Sequence, residues 1–221
     1  MSSTNDNNKD ANNSASMART LSISEIAALT DRIEAAQRGA RAIPKLTEDF
    51  PGMTLGDGYA VQLALRQRWL SAGLYFPAAS KAKMDQMGVR VPCIGFLMAE
   101  MARPEGSVIR TDDLVHPRVE CEVAFVTKAP LAGAHVTREE VLAATDFVLP
   151  AIEVIDSRFS GFKFDLQSVV ADNSSSARYV TGGRARLAEE LDLATLGVVM
   201  ERNGEPVAMA ASAAVMGHPA D

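Results

Sequence analysis

Apolar residues at Ile26, Leu29, Ile33 and Ala36 recur every three or four positions, the spacing that lines one side of an α-helix. Ser22 stands before them with Glu25 three residues on, a pairing that caps the free N–H groups of a helix start, and Gly39 marks the stop. A second helix is predicted from Thr54 to Ala72, opened by Thr54 with Asp57 and carrying Tyr59, Leu63 and Leu70 as its apolar stripe. From about Gly95 the pattern changes. Short β-branched segments at Ser107 to Arg110, Val119 to Val126, Val148 to Ile155, Val198 to Glu201 and Val207 to Ala211 alternate with Gly, Pro and Asp. Asn203-Gly204, between the last two, accepts the positive φ angles of a tight hairpin turn. Thr137 to Thr145 predicts a short helix capped by Thr137 and Glu140. The expected fold class is α+β: a helical region over residues 17–90, then a β-rich region over 91–221.

Composition narrows the classes of function. The 221 residues carry a formal charge of −6 and no concentrated basic face, which argues against nucleic acid. Every apolar run stops well short of the roughly 20 residues that span a bilayer. Residues 1–16, MSSTNDNNKDANNSAS, lack the apolar stretch of a signal peptide and read as a disordered tail. Cys93 and Cys121 have no metal-like spacing and read as reduced thiols of a cytoplasmic protein. The chain ends at AAVMGHPAD just after the hairpin, so the β-rich region is expected to be incomplete.

Within HPRVECEVAF, Glu120 and Glu122 interrupt an apolar strand, and residues two apart in a strand point the same way. Glu153 interrupts FVLPAIEVIDSR in the same manner. Three carboxylates among β-branched neighbours are costly to bury uncompensated. An oxygen-preferring divalent cation, Mg²⁺ or Mn²⁺, would compensate them and leave positions for water and a chelating substrate. A solvated face, or pairing with Arg118, Arg158 or Lys163, would compensate them equally well. His116, His135 and His218 share no ligand-like spacing, and no G-x-S-x-G elbow is present.

In order, HPRVECEVAF, PAIEVIDSR, FKFDLQSVVADNSSS and GVVMERNGE, with TEDFPGMTLGDGYAVQ and SKAKMDQMGV before them, resemble the hydratase and decarboxylase branch of the fumarylacetoacetate hydrolase fold family. The resemblance runs from about Arg19 to Pro219. It implies a mixed β-roll core, apparently truncated at the C-terminus, and a divalent metal held by Glu120, Glu122 and Glu153. It implies decarboxylation of 2-oxo-3-hexenedioate to 2-hydroxypenta-2,4-dienoate and CO₂ in the degradation of aromatic compounds. The alternatives are hydration of 2-hydroxypenta-2,4-dienoate, or a non-catalytic or truncated subunit. Association with the hydratase and homo-oligomerisation are implied as well. Hydratases of this branch carry an aspartate just before the aromatic-glycine pair that matches Ile94-Gly95; Cys93 stands here, which favours decarboxylation. The resemblance assigns Asp172 and Ser175 to contact with substrate or to its immediate support, while Lys163 and Arg158 are candidates for the distal carboxylate. A departure lies at Tyr75-Phe76-Pro77, where the family has a glycine-flanked lysine; Lys81 and Lys83 match other positions.

Overall fold

The computed structural model describes residues 17–69, 93–133 and 135–221 as a mixed helix and sheet structure. Helix α1, Ile23–Arg38, begins at the expected box: Glu25 N–H donates to Ser22 Oγ, and Ser22 N–H donates to the Glu25 carboxylate at 2.7 Å. Helix α2 spans Leu55–Trp69 among the described residues, with the same reciprocal bonds between Thr54 and Asp57. Its buried side is Leu55, Val61 and Leu65. The expected stripe is thus corrected: Tyr59 is only half-buried and Leu63 is exposed, whereas Leu70 lies outside the described residues. The cause is tertiary, because α2 packs against two partners at once. Leu29 and Ile33 of α1 meet Val61 and Leu65, and the same cluster includes Leu46, Met53, Phe159 and Ala171.

Strand β1 is Pro117–Thr127; helix α3, Arg138–Ala144, leads to β2, Thr145–Asp156. Both strands run longer than the apolar pattern suggests. Helix α4, Leu166–Ala171, then precedes β3, Ser176–Thr181, and the three strands form an antiparallel sheet with β2 in the middle. A separate hairpin of β4, Gly197–Arg202, and β5, Glu205–Ala211, turns through Asn203 and Gly204 at φ 56° and 83°. The predicted strand at Ser107 to Arg110 is absent. That stretch follows Gly106 at φ 76°, has Val108 87% exposed, and finds no strand to pair with. A β-branched composition does not supply a ladder partner.

Close approach fixes how α2 sits against α4. A Cβ on Gly58 would lie 2.7 Å from the Gln167 carbonyl oxygen, so this crossing excludes any larger residue. Asp57 in turn ties the leading segment down, accepting from Thr20 N–H at 2.9 Å, Leu21 N–H at 3.0 Å and the Thr20 hydroxyl at 2.8 Å. No helix among the described residues is long and apolar enough to cross a membrane.

Burial of the Asp57 carboxyl opposes its ionisation, but the N–H groups of Thr54, Leu21 and Thr20 and the Thr20 hydroxyl outweigh it and hold the group at about 2. A carboxylate depressed below its ordinary value contributes stability that is present above about pH 4 and is lost as pH falls toward 2. Thermal unfolding across that window should show a shallower acid limb for Asp57→Asn than for the unmodified chain. At neutral pH Asp57→Ala should cost about 1–3 kcal/mol, because several donors lose their acceptor.

Candidate metal centre

The ladder between β1 and β2 sets the site. Glu120 lies directly opposite Glu153, and Glu122 lies opposite Ala151. Directly paired residues of an antiparallel ladder share a face, as do residues two apart, so all three glutamates project from one side of the sheet. One carboxylate oxygen from each lies within 4.8 Å of the others. Glu153, on the central strand, is 5% exposed, and the two β1 acids are half-buried. Three hard oxygen donors converging so closely form a set suited to a small divalent cation, and they repel one another without one. Cys121 belongs to the other face. Burial, and secondarily the neighbouring Glu122 charge, push its thiol up, away from the thiolate that a metal would require.

The ends of these strands are pinned by Asp156. Its Oδ1 accepts from the N–H groups of Val115 and His116, while His116 Nδ1 is 2.9 Å from the Ser157 carbonyl oxygen. His116 therefore serves the strand junction rather than the carboxylate cluster. A one-residue slip of β1 would place Glu120 and Glu122 on the opposite face from Glu153.

Beyond β2 the chain enters a second buried polar group. Arg158 is fully buried, and its Nε donates to Asp172 Oδ1, its backbone N–H to Asp172 Oδ2 and its Nη2 to the Asp172 carbonyl oxygen. Burial raises the Asp172 carboxyl above the usual carboxylate range, and the Arg158 charge pulls against that rise. The pair anchors a turn in which Asn173, Ser174 and Ser175 have φ of 52°, 53° and 63°. Three successive left-handed residues without a glycine are strained and persist only where their surroundings dictate them. Here Asn173 Oδ1 accepts from Phe96 N–H at 2.7 Å, and Asn173 Nδ2 donates to the Phe96 carbonyl at 2.8 Å. Gly95 fits against the turn, since a Cβ there would stand 3.0 Å from the Asn173 carbonyl oxygen. The Ser175 hydroxyl reaches Asp172 Oδ2 at 3.4 Å, and Ser176 then opens β3.

The structure thus brings Glu120, Glu122 and Glu153 together and places Asp172 and Ser175 in a fully buried cluster that feeds β3. Of the two candidates for a distal carboxylate, Arg158 is fully buried beside Asp172, and Lys163 is exposed on the following segment. Tyr179 was not visible in the sequence pattern. It pairs with Glu153 across β2 and β3 and so shares the glutamate face, half-buried, with its phenol pushed up by burial and then by Glu100. Only the register reveals it. The lysine-loop departure at Tyr75-Phe76-Pro77, with Lys81 and Lys83, lies outside the described residues.

No family model matches the chain. Its relatives include the 4-oxalocrotonate decarboxylase of Pseudomonas sp. (strain CF600), 52% identical over 209 residues that cover 92% of this chain and 79% of that one. The 2-hydroxyhexa-2,4-dienoate hydratase of Comamonas testosteroni is 39% identical over 197 residues, 86% of this chain and 75% of its own length. Among solved structures, 4-oxalocrotonate decarboxylase from Pseudomonas putida G7, complexed with magnesium and adipate, superimposes with a TM-score of 0.86 at 48% identity, covering 92% of this chain and 79% of that one. With identity at this level and most of each chain matched, the protein belongs to the family of 4-oxalocrotonate decarboxylases and their related dienoate hydratases.

Proposed function

We propose that the chain catalyses the divalent-metal-dependent decarboxylation of 4-oxalocrotonate, 2-oxo-3-hexenedioate, and that Glu120, Glu122 and Glu153 hold the ion. The reading rests on one observation above all: three carboxylate oxygens within 4.8 Å on a single sheet face. It is supported by the greater identity to a decarboxylase than to a hydratase and by the magnesium in the related structure. A fumarylacetoacetate hydrolase-type β-roll, with a helical region over 17–90 and a β-rich region over 91–221, is the fold that accompanies it.

In the reaction the bond between C5 and the C6 carboxylate breaks, CO₂ leaves, and its electron pair passes through the C3=C4 bond toward the 2-keto oxygen. Protonation there gives 2-hydroxypenta-2,4-dienoate. When bound, the divalent ion supplies Lewis acidity that favours negative charge on that oxygen. The protein has three tasks. Glu120, Glu122 and Glu153 hold the charge centre in place, with Mg²⁺ or Mn²⁺ the fitting ions. Arg158 and Asp172 fix the left-handed turn that carries Ser175 and starts β3, so these two act by positioning. Lys163, exposed nearby in sequence, contributes positive charge to the surroundings.

A second reading, hydration of 2-hydroxypenta-2,4-dienoate, has less support. It calls for an acid where this chain has the buried Cys93 beside Ile94, whose carbonyl accepts from Gln62 Nε2 at 2.7 Å. Association with a dienoate hydratase that consumes the product, and with further copies of the chain, belongs to the same proposal. Exposed Val199, Val207 and Met209 on the β4–β5 hairpin offer an apolar surface for such contacts.

Metal should raise the unfolding temperature, since a ligand present at 100 times its Kd adds about 2.7 kcal/mol to stability. Scans with and without millimolar Mn²⁺ should show this rise in the unmodified chain and lose it in Glu120→Ala and Glu153→Ala. Supplied with Mg²⁺, the purified chain should consume 2-oxo-3-hexenedioate and release CO₂, and Glu153→Gln should slow it by about 10²-fold or more, on the scale of lost charge stabilisation at a reacting centre. Preferential consumption of 2-hydroxypenta-2,4-dienoate would move the assignment to the hydratase. Asp172→Ala should destabilise the fold by about 3–5 kcal/mol, because it strands the buried Arg158 charge, and chemical denaturation measures this.

A further inference from the structure

Arg118 occupies the position two residues before Glu120 on β1, on the same face as the three glutamates and about 7 Å along the strand. Its guanidinium lies over the ring of Phe162, 3.6 Å from the centroid. Among the described residues no carboxylate stands within ion-pair range of it, and none of its N–H groups makes a hydrogen bond. Stacking occupies the face of a guanidinium and leaves the in-plane N–H groups, which are the ones that grip a carboxylate in two-point fashion, directed outward.

The platform beneath it is held at a cost. Phe162 has φ of 58°, a left-handed conformation unusual for a bulky side chain, and follows Gly161 at φ 64°. Its ring is fixed by Phe164 at 5.4 Å and by the edge of His116 at 6.5 Å. A strained aromatic residue wedged between two rings therefore presents a charged group, without an ion-pair partner among the described residues, on the same sheet face as the glutamates. Arg158, another arginine of this region, is fully buried with its Nε on Asp172.

We infer that Arg118, seated on Phe162, binds the carboxylate of the substrate remote from the metal and so selects dicarboxylates over monocarboxylates. The inference rests on the metal-centre reading above. Bond geometry is compatible with it: the five carbon–carbon bonds of an extended six-carbon diacid span roughly 6 Å, and an arginine side chain one same-face position away covers the remainder. The carboxylate that leaves as CO₂ is then the one gripped by Arg118. Its charge is neutralised in the bound substrate, and the grip is lost when the product forms.

Calorimetric titration of the full chain in saturating Mg²⁺ with adipate, and with hexanoate as a monocarboxylate of equal length, tests the assignment. The unmodified chain should bind adipate more tightly than hexanoate. Arg118→Gln should weaken adipate by at least about tenfold, the scale of a lost charge-assisted bidentate contact, and leave hexanoate unchanged. Phe162→Leu, which removes the stacking ring, should fall between the two. Equal weakening of both acids, or unchanged adipate affinity in Arg118→Gln, would overturn the role of Arg118. Unfolding scans with Mn²⁺ separate the two levels: a metal-induced rise retained in Arg118→Gln shows the centre intact, so that only the selectivity assignment is at stake. Absence of that rise in the unmodified chain would remove the metal centre and this inference with it.

Discussion

Repulsion among three carboxylates on one sheet face is the interaction around which the rest of this structure is arranged. At a few ångströms in a half-buried setting, like charges cost several kcal/mol if nothing offsets them. The backbone ladder is what forces them together, because β1 and β2 pair over Pro117 to Val126 in an unbroken register that places Glu120 against Glu153. Many hydrogen bonds commit the strands to that alignment. The register thus keeps the three acids on one face, and such a cluster of oxygen donors suits a divalent cation.

The second polar group works in the opposite sense. Arg158 and Asp172 neutralise each other inside the protein, and their bonds go to backbone as well as to side chain. Such a pair contributes little net stability compared with apolar packing, but it specifies one conformation, since either charge left alone is intolerable. The conformation specified is the left-handed turn of Asn173 to Ser175, which joins the Phe96 segment to the start of β3. Charge therefore takes two arrangements here, once gathered as like carboxylates on a sheet face and once balanced as an ion pair that holds a shape.

Legibility in the sequence followed the range of each interaction. The boxes at Ser22/Glu25 and Thr137/Glu140 join residues three apart, and both appear where the sequence places them. The common face of Glu120 and Glu122 follows from strand alternation, and Glu153 joins them through a similar interruption of an apolar run. What failed depended on partners distant in sequence. Ser107 to Arg110 has strand-like composition but no neighbour, whereas α4 and β3 flank a polar Asp-Asn-Ser run whose composition announces neither element. The same limit hid the buried side of α2, set jointly by α1 and α4, and the place of Tyr179, set by register. The burial of Arg158 was not legible because an arginine is exposed by default, and nothing in its immediate neighbours announces an aspartate fourteen residues later.

The core that unites Leu29, Ile33, Val61 and Leu65 with Phe159 and Ala171 has a consequence for biosynthesis. Chains emerge from the ribosome N-terminus first, at about 5–20 residues per second, so the two long helices are made roughly ten seconds before Ala171 can join them. During that interval their apolar sides have each other but not the residues that complete the cluster. Their final packing is accordingly a late event that waits for Phe159 and Ala171.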